Sequence, residues 1–104
     1  MNRLLLIAST LIAATSANAA DWRYCLASAT DDHKVYMSEP FQTDAPMSTV
    51  EEAFARLLAR SGLRYGEIQC PRSESEKSAL TMRDHAIAFN RTNGNEIAKV
   101  SGKP

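Results

Sequence analysis

STVEEAFARLLARSG, residues 48–62, is the stretch around which the fold can be read. Ser48 and Glu51 stand at capping-box spacing. The Ser48 hydroxyl is expected to accept from the Glu51 amide, and the Glu51 carboxylate to reach back to the Ser48 amide. Val50, Ala53, Phe54, Leu57 and Leu58 recur at i, i+3, i+4, i+7 and i+8, which makes one apolar stripe. Glu51, Glu52, Arg56 and Arg60 take the other side, with Glu52 and Arg56 spaced for an i,i+4 ion pair. Gly62 offers the left-handed residue that stops a helix, and Leu63 can fold back on Leu58. The stretch is a helix with one face to bury, so the rest of the chain has to supply the surface it covers.

Upstream, Trp22 to Ala29 mixes aromatic and small apolar residues and reads as a strand. The polar cluster Thr30-Asp31-Asp32-His33 has turn length, and Lys34 to Ser38 reads as a second strand, so the two form an antiparallel hairpin. Pro40 lacks an amide donor and favours a strand end. Gln42 to Met47 is expected to be a connection. Downstream, Leu63 to Cys70 is a third strand, stopped by Pro71. Ser73 and Glu76 repeat the capping-box spacing, with acidic residues where a helix dipole favours them. A second helix follows to Thr92, with Ala79, Leu80, Met82, Ala86, Ile87 and Phe89 as its buried side. Asn93-Gly94 ends it, Asn95 to Val100 is a last short strand, and the small polar tail beyond is expected to fray.

The order strand, strand, helix, strand, helix, strand predicts a two-layer α+β domain, a four-stranded mixed sheet with both helices on one face. The two cysteines, Cys25 and Cys70, lie in the first and third strands. A disulfide between them would put these strands side by side, because it needs Cα atoms within about 7 Å. It would close a loop of about 45 residues, contributing about 4 kcal/mol in the chain-entropy model. Strand parity raises a conflict. If Leu26 and Ile68 both face the helices, Cys25 and Cys70 point to opposite sides of the sheet. The expected resolution is that Cys70 lies past the regular strand, where parity lapses; a bulge is the other possibility.

Before all this, Asn2-Arg3, the apolar run Leu4 to Ala14 and Ala17-Asn18-Ala19 have the three parts of a secretory signal, predicted to be cleaved after Ala19. The run is too short for a stable bilayer anchor. The mature chain, residues 20–104, is long enough for one domain. An oxidising compartment, the periplasm or the exterior, makes a disulfide the default for its two cysteines. Eleven basic residues then stand against twelve acidic ones, and no basic patch of a nucleic-acid binder is visible.

Motifs for chemistry are sparse. No Cys-x-x-Cys or histidine spacing suits a redox pair or a metal, and nothing calls for a cofactor. His33 sits in a polar turn beside Asp31 and Asp32. His85 follows Asp84 on the second helix, where neighbours do not face each other. Glu51 with Glu52, and Glu74 with Glu76, are accounted for by helix N-termini. A one-sided sheet leaves an open face, and Arg23, Tyr36, Arg64 and Tyr65 are the residues expected there. Such side chains are favoured at protein interfaces, so a protein partner is the expected ligand.

The pattern Trp22-x-Tyr24-Cys25, Val35-Tyr36-Met37-Ser38-x-Pro40-Phe41, Cys70-Pro71-Arg72 and Ala86-Ile87-Ala88-Phe89-Asn90-Arg91 resembles small uncharacterised exported proteins of Gram-negative bacteria. The resemblance implies compartment and a two-cysteine domain, and carries no site residue. The expectation is a periplasmic protein-interaction module, with envelope maintenance or inhibition of an exported enzyme as roles suggested by size and compartment. Two other classes are a small hydrolase-like enzyme using His85 or His33, and a structural homo-oligomeric accessory protein.

Overall fold

A computed structural model describes residues 21–29 and 31–104; the expected signal, residues 1–19, lies outside them. The elements are β1 (Asp21–Arg23), β2 (Leu26–Ala29), β3 (Lys34–Met37), β4 (Phe41–Thr43), α1 (Met47–Arg60), β5 (Tyr65–Gln69), β6 (Arg72–Ser73), α2 (Glu76–Thr92) and β7 (Glu96–Lys99). The described residues form an α+β fold with two helices. A mixed four-stranded sheet runs β5-β2-β3-β7, and a smaller sheet runs β4-β1-β6. β2 and β3 form the expected antiparallel hairpin, β5 lies antiparallel beside β2 as the cysteines required, and β7 runs parallel to β3.

The expected first strand is interrupted rather than continuous. Arg23 faces Arg72 and Leu26 faces Gln69, which is one antiparallel count carried across both sheets. The ladder lapses at Tyr24-Cys25 and Cys70-Pro71. Pro71 stands where Tyr24 would find a partner, and proline has no N–H to donate. β4 and β6 are too short to show an alternating pattern; β4 overlaps the expected connection from Gln42, and β6 takes in Ser73, expected as the cap of the second helix.

The two helices lie on opposite faces of the larger sheet, which corrects their expected placement on one. Successive residues of β3 separate them. The cross-strand row Ile68–Ala27–Tyr36–Ala98 packs with Val50, Phe54, Leu57 and Leu58 of α1. Leu26, Val35, Met37 and Ile97 pack with Met82, Ala86 and Ile87 of α2. With a helix on each side, Leu26 and Ile68 need not face the same way, and the parity conflict disappears. The count that pairs Ala27 with Ile68 and Leu26 with Gln69 places Cys25 opposite Cys70 on the α1 side. They form a disulfide with Cα atoms 4.0 Å apart, and both residues are buried in the α1-side core. Cys70 does lie just past β5, but parity holds through it.

Helix ends follow local chemistry with two corrections. Pro46, in extended conformation, takes the N-cap of α1 and makes no side-chain cap; Ser48 lies inside the helix, so the expected capping box does not form. α2 is capped by Ser75, two residues later than expected, and the Ser75 hydroxyl accepts from the Ser78 amide. Both C-termini close as Gly62 and Gly94 predict. Gly62 N–H donates to Ala59 O and Leu63 N–H to Leu58 O; Gly94 N–H donates to Arg91 O and Asn95 N–H to Asn90 O. Each is the paired bonding of a Schellman motif around a left-handed glycine. The buried side of α2 is narrower than expected. Ala79 and Arg83 are its buried residues, while Leu80 is exposed and Phe89 is 67% exposed. Val100, which precedes the tail, is buried, and within the tail Lys103 and Pro104 border a cavity beside α1.

Candidate functional site

Where the two ladders part, backbone groups lose their strand partners, and side chains replace them. The Cys25 amide donates to Ser38 Oγ at 2.8 Å, and the Ser38 amide donates to Cys25 O. Arg23 Nη1 donates to Cys70 O at 2.9 Å. Arg83, reaching in from α2, donates through Nε to Ser38 O at 2.9 Å and through Nη2 to the exposed Glu39 carboxylate. Two buried guanidiniums thus bracket the disulfide. Their first duty is to satisfy carbonyls that a continuous sheet would have paired. Tyr24 is buried at the same joint. Burial pushes its phenol above the ordinary tyrosine range, and the nearby Arg83 charge partly opposes this.

Arg23 and Tyr36 are therefore not on an exposed face. They are only 6% and 7% exposed. The reason is that a helix packs on each face of the larger sheet, and alternation sends Tyr36 into the α1 core. Arg64 and Tyr65 fall elsewhere, at the end of the sheet formed by the β2–β3 turn and the α1–β5 loop. Arg64 is highly exposed and pairs with Asp31 at 3.7 Å. Tyr65 is half-buried and stands opposite Ala29.

This end is the candidate site. Its cavity of about 230 Å³ is lined by Asp31, Asp32, Tyr36, Gly62, Leu63 and Arg64. Lys34 pairs with Asp32 at 3.8 Å, so both acids have a basic partner. His33 turns the hairpin with φ 51, a left-handed conformation that histidine adopts more readily than most residues. The structure brings Tyr36 and Arg64 to one cavity, keeps Tyr65 in the strand beside it, and places Arg23 at the disulfide joint. Asp31 and Asp32 had been read as ordinary turn residues. Their sequence signal was that same acidic turn, which became part of a site only when the α1–β5 loop arrived beside it.

The remaining candidates stay apart. His85 is exposed on α2 and borders none of the cavities described, and Glu51 and Glu52 lie along α1. Among the described residues, no group of three His, Cys, Asp or Glu side chains could hold a metal ion. None of the described helices is long and apolar enough to cross a membrane, which with the disulfide is compatible with export. Compared with known proteins, the chain matches no family model, no curated protein and no solved structure at a significant level.

Proposed function

We propose that the protein is an exported interaction module, periplasmic or secreted, that engages a protein partner through the hairpin end of its sheet. The observation that carries this reading is the Arg64–Asp31 pair, whose side chains are 81% and 70% exposed at the rim of a cavity also lined by Tyr36. So exposed a pair contributes little to folding. A guanidinium and a carboxylate at the rim of an aromatic-lined hollow suit recognition, where arginine and tyrosine are favoured anchors. The buried disulfide suits an oxidising compartment.

The test is capture from an extract of exported proteins with the tagged protein, beside Arg64→Glu and Asp31→Arg variants shown by circular dichroism to be folded. Retention of one stoichiometric partner by the parent and its loss in both variants is the expected result. Equal capture by parent and variants would remove the hairpin end from the interface. Tyr36→Ala is a poor probe here, since it would open a hole in the core.

A further inference from the structure

Residues 92–96, Thr-Asn-Gly-Asn-Glu, carry the chain from α2 into β7. They hold the one Asn-Gly pair of the sequence, Asn93-Gly94. Glycine has no Cβ to keep its nitrogen away from the side-chain amide before it. That nitrogen can attack Asn93 Cγ. A new N–Cγ bond closes a five-membered succinimide, the Cγ–Nδ2 bond breaks, and ammonia leaves with the proton of the Gly94 amide. Water then opens the ring at either carbonyl, giving aspartate or isoaspartate. Water is the only co-reactant.

The folded turn restrains each reacting atom. Gly94 N–H donates to Arg91 O at 3.0 Å, which engages the proton the nucleophile must lose. Asn93 Nδ2, the leaving nitrogen, donates to Phe89 O at 2.8 Å. The Asn93 ψ is 14, whereas ring closure needs the Gly94 nitrogen swung round until it eclipses Cβ about the Cα–C bond. The lock is nevertheless shallow. Phe89, Arg91, Thr92, Asn93 and Gly94 are all exposed, and one side-chain bond, from Asn95 Nδ2 to Asn90 Oδ1 at 3.2 Å, spans the turn. Exposed helix ends open at a small fraction of the free energy of global unfolding.

We propose that Asn93 is a deamidation site gated by the C-terminal turn of α2. Closed, the turn withholds the Gly94 nitrogen; opened, it releases it, and the reaction makes the opening permanent. Either product lacks the Nδ2 donor to Phe89 O and sets a carboxylate at the negative end of the helix dipole. Isoaspartate also lengthens the backbone by one methylene, just before the Asn95 amide must reach Asn90 O and the Glu96 amide His33 O. The change is thus passed to the start of β7, which that second bond ties to the hairpin turn. The gate requires no partner and stands or falls independently of the proposed interface.

The experiment incubates the disulfide-bonded protein at mildly alkaline pH, folded in buffer and unfolded in urea. Mass spectrometry of the tryptic peptide 92–99 follows conversion of amide to acid. The unfolded chain is expected to convert at Asn93, and the folded protein roughly tenfold or more slowly, since only opened molecules react. Asn90→Ala, shown by circular dichroism to be folded, removes the acceptor of the Asn95 side chain. It should speed conversion severalfold in buffer and leave the rate in urea unchanged. Equal rates for the parent in buffer and in urea would overturn the gate. Conversion confined to Asn95, or an Asn90→Ala protein that reacts no faster than the parent in buffer, would overturn the assignment.

Discussion

The two faces of the larger sheet are covered by helices of different character. Under α1 the contact is hydrocarbon: Val50, Phe54, Leu57 and Leu58 are all buried, and Phe54 and Leu58 have no exposed surface. Under α2 the buried residues are Ala79 and Arg83, with Met82, Ala86 and Ile87 only half covered. One helix is held chiefly by burial. The other is held in good part by a guanidinium that ties it to the carbonyl of Ser38 at the break between ladders. A helix with a narrow apolar side can therefore still be tied to a sheet, through a side chain that satisfies a carbonyl the sheet leaves open.

The most direct way to break this comparison is to truncate one apolar residue on each side. Phe54→Ala should cost about 3–5 kcal/mol and Ile87→Ala less than about 2 kcal/mol, because the first opens a sealed cavity and the second a half-solvated site. Urea unfolding monitored by circular dichroism measures both, and equal losses would show that the faces are energetically alike. Next in size is the joint itself. Replacing Cys25 and Cys70 together with alanine should remove about 4 kcal/mol, from the 45-residue separation the bond closes. Its native counterpart should show no alkylatable thiol, since both cysteines are paired and buried.

Arg83→Met keeps the side chain's volume and removes its donors, leaving Ser38 O without its Arg83 bond. The expected loss is about 1–3 kcal/mol, the range for an orphaned buried acceptor; a neutral result would mean that α2 is held by its half-buried apolar residues after all. The smallest effect is a pH dependence. Burial keeps the Tyr24 phenol protonated to higher pH in the folded protein than in the unfolded chain, whose tyrosine has the ordinary value of 10.0. Stability associated with Tyr24 is thus fully present below that value and is lost as pH rises through the folded-state pKa. Tyr24→Phe should flatten the alkaline fall in unfolding free energy relative to the parent. Arg83→Met should steepen it, because the charge that opposes the shift is gone. Identical alkaline profiles in all three proteins would separate Tyr24 from the joint.

Much of this was legible in residues 48–62 and their neighbours. The α1 stripe, the glycine stops after both helices, the β2–β3 hairpin and the β2–β5 neighbourhood all depend on spacing within a segment or on one covalent pair. The start of α1 was misplaced because Ser48 and Glu51 have the right spacing for a capping box. Pro46, already extended, took the N-cap two residues earlier. Phe89 was placed in the core because periodicity counts apolar residues without knowing how wide a face the sheet can cover. Of the candidate site, Arg64 and the acidic turn could be seen one at a time, but no spacing between residues 31 and 64 announces that they meet.

The sequence by itself determined what local forces decide: which segments become helix, where glycine and proline end them, and that two cysteines in an α+β chain can staple the first strand to the third. Only the tertiary structure decided on which side of the sheet each helix packs. That choice turned Tyr36 inward, buried Arg23 beside the start of α1, and let Cys25 and Cys70 share a face. The physical reason lies in the alternation of a strand: it sorts residues into two faces without saying whether one or both will be covered. Coverage depends on long-range packing of whole elements, and no local pattern encodes it.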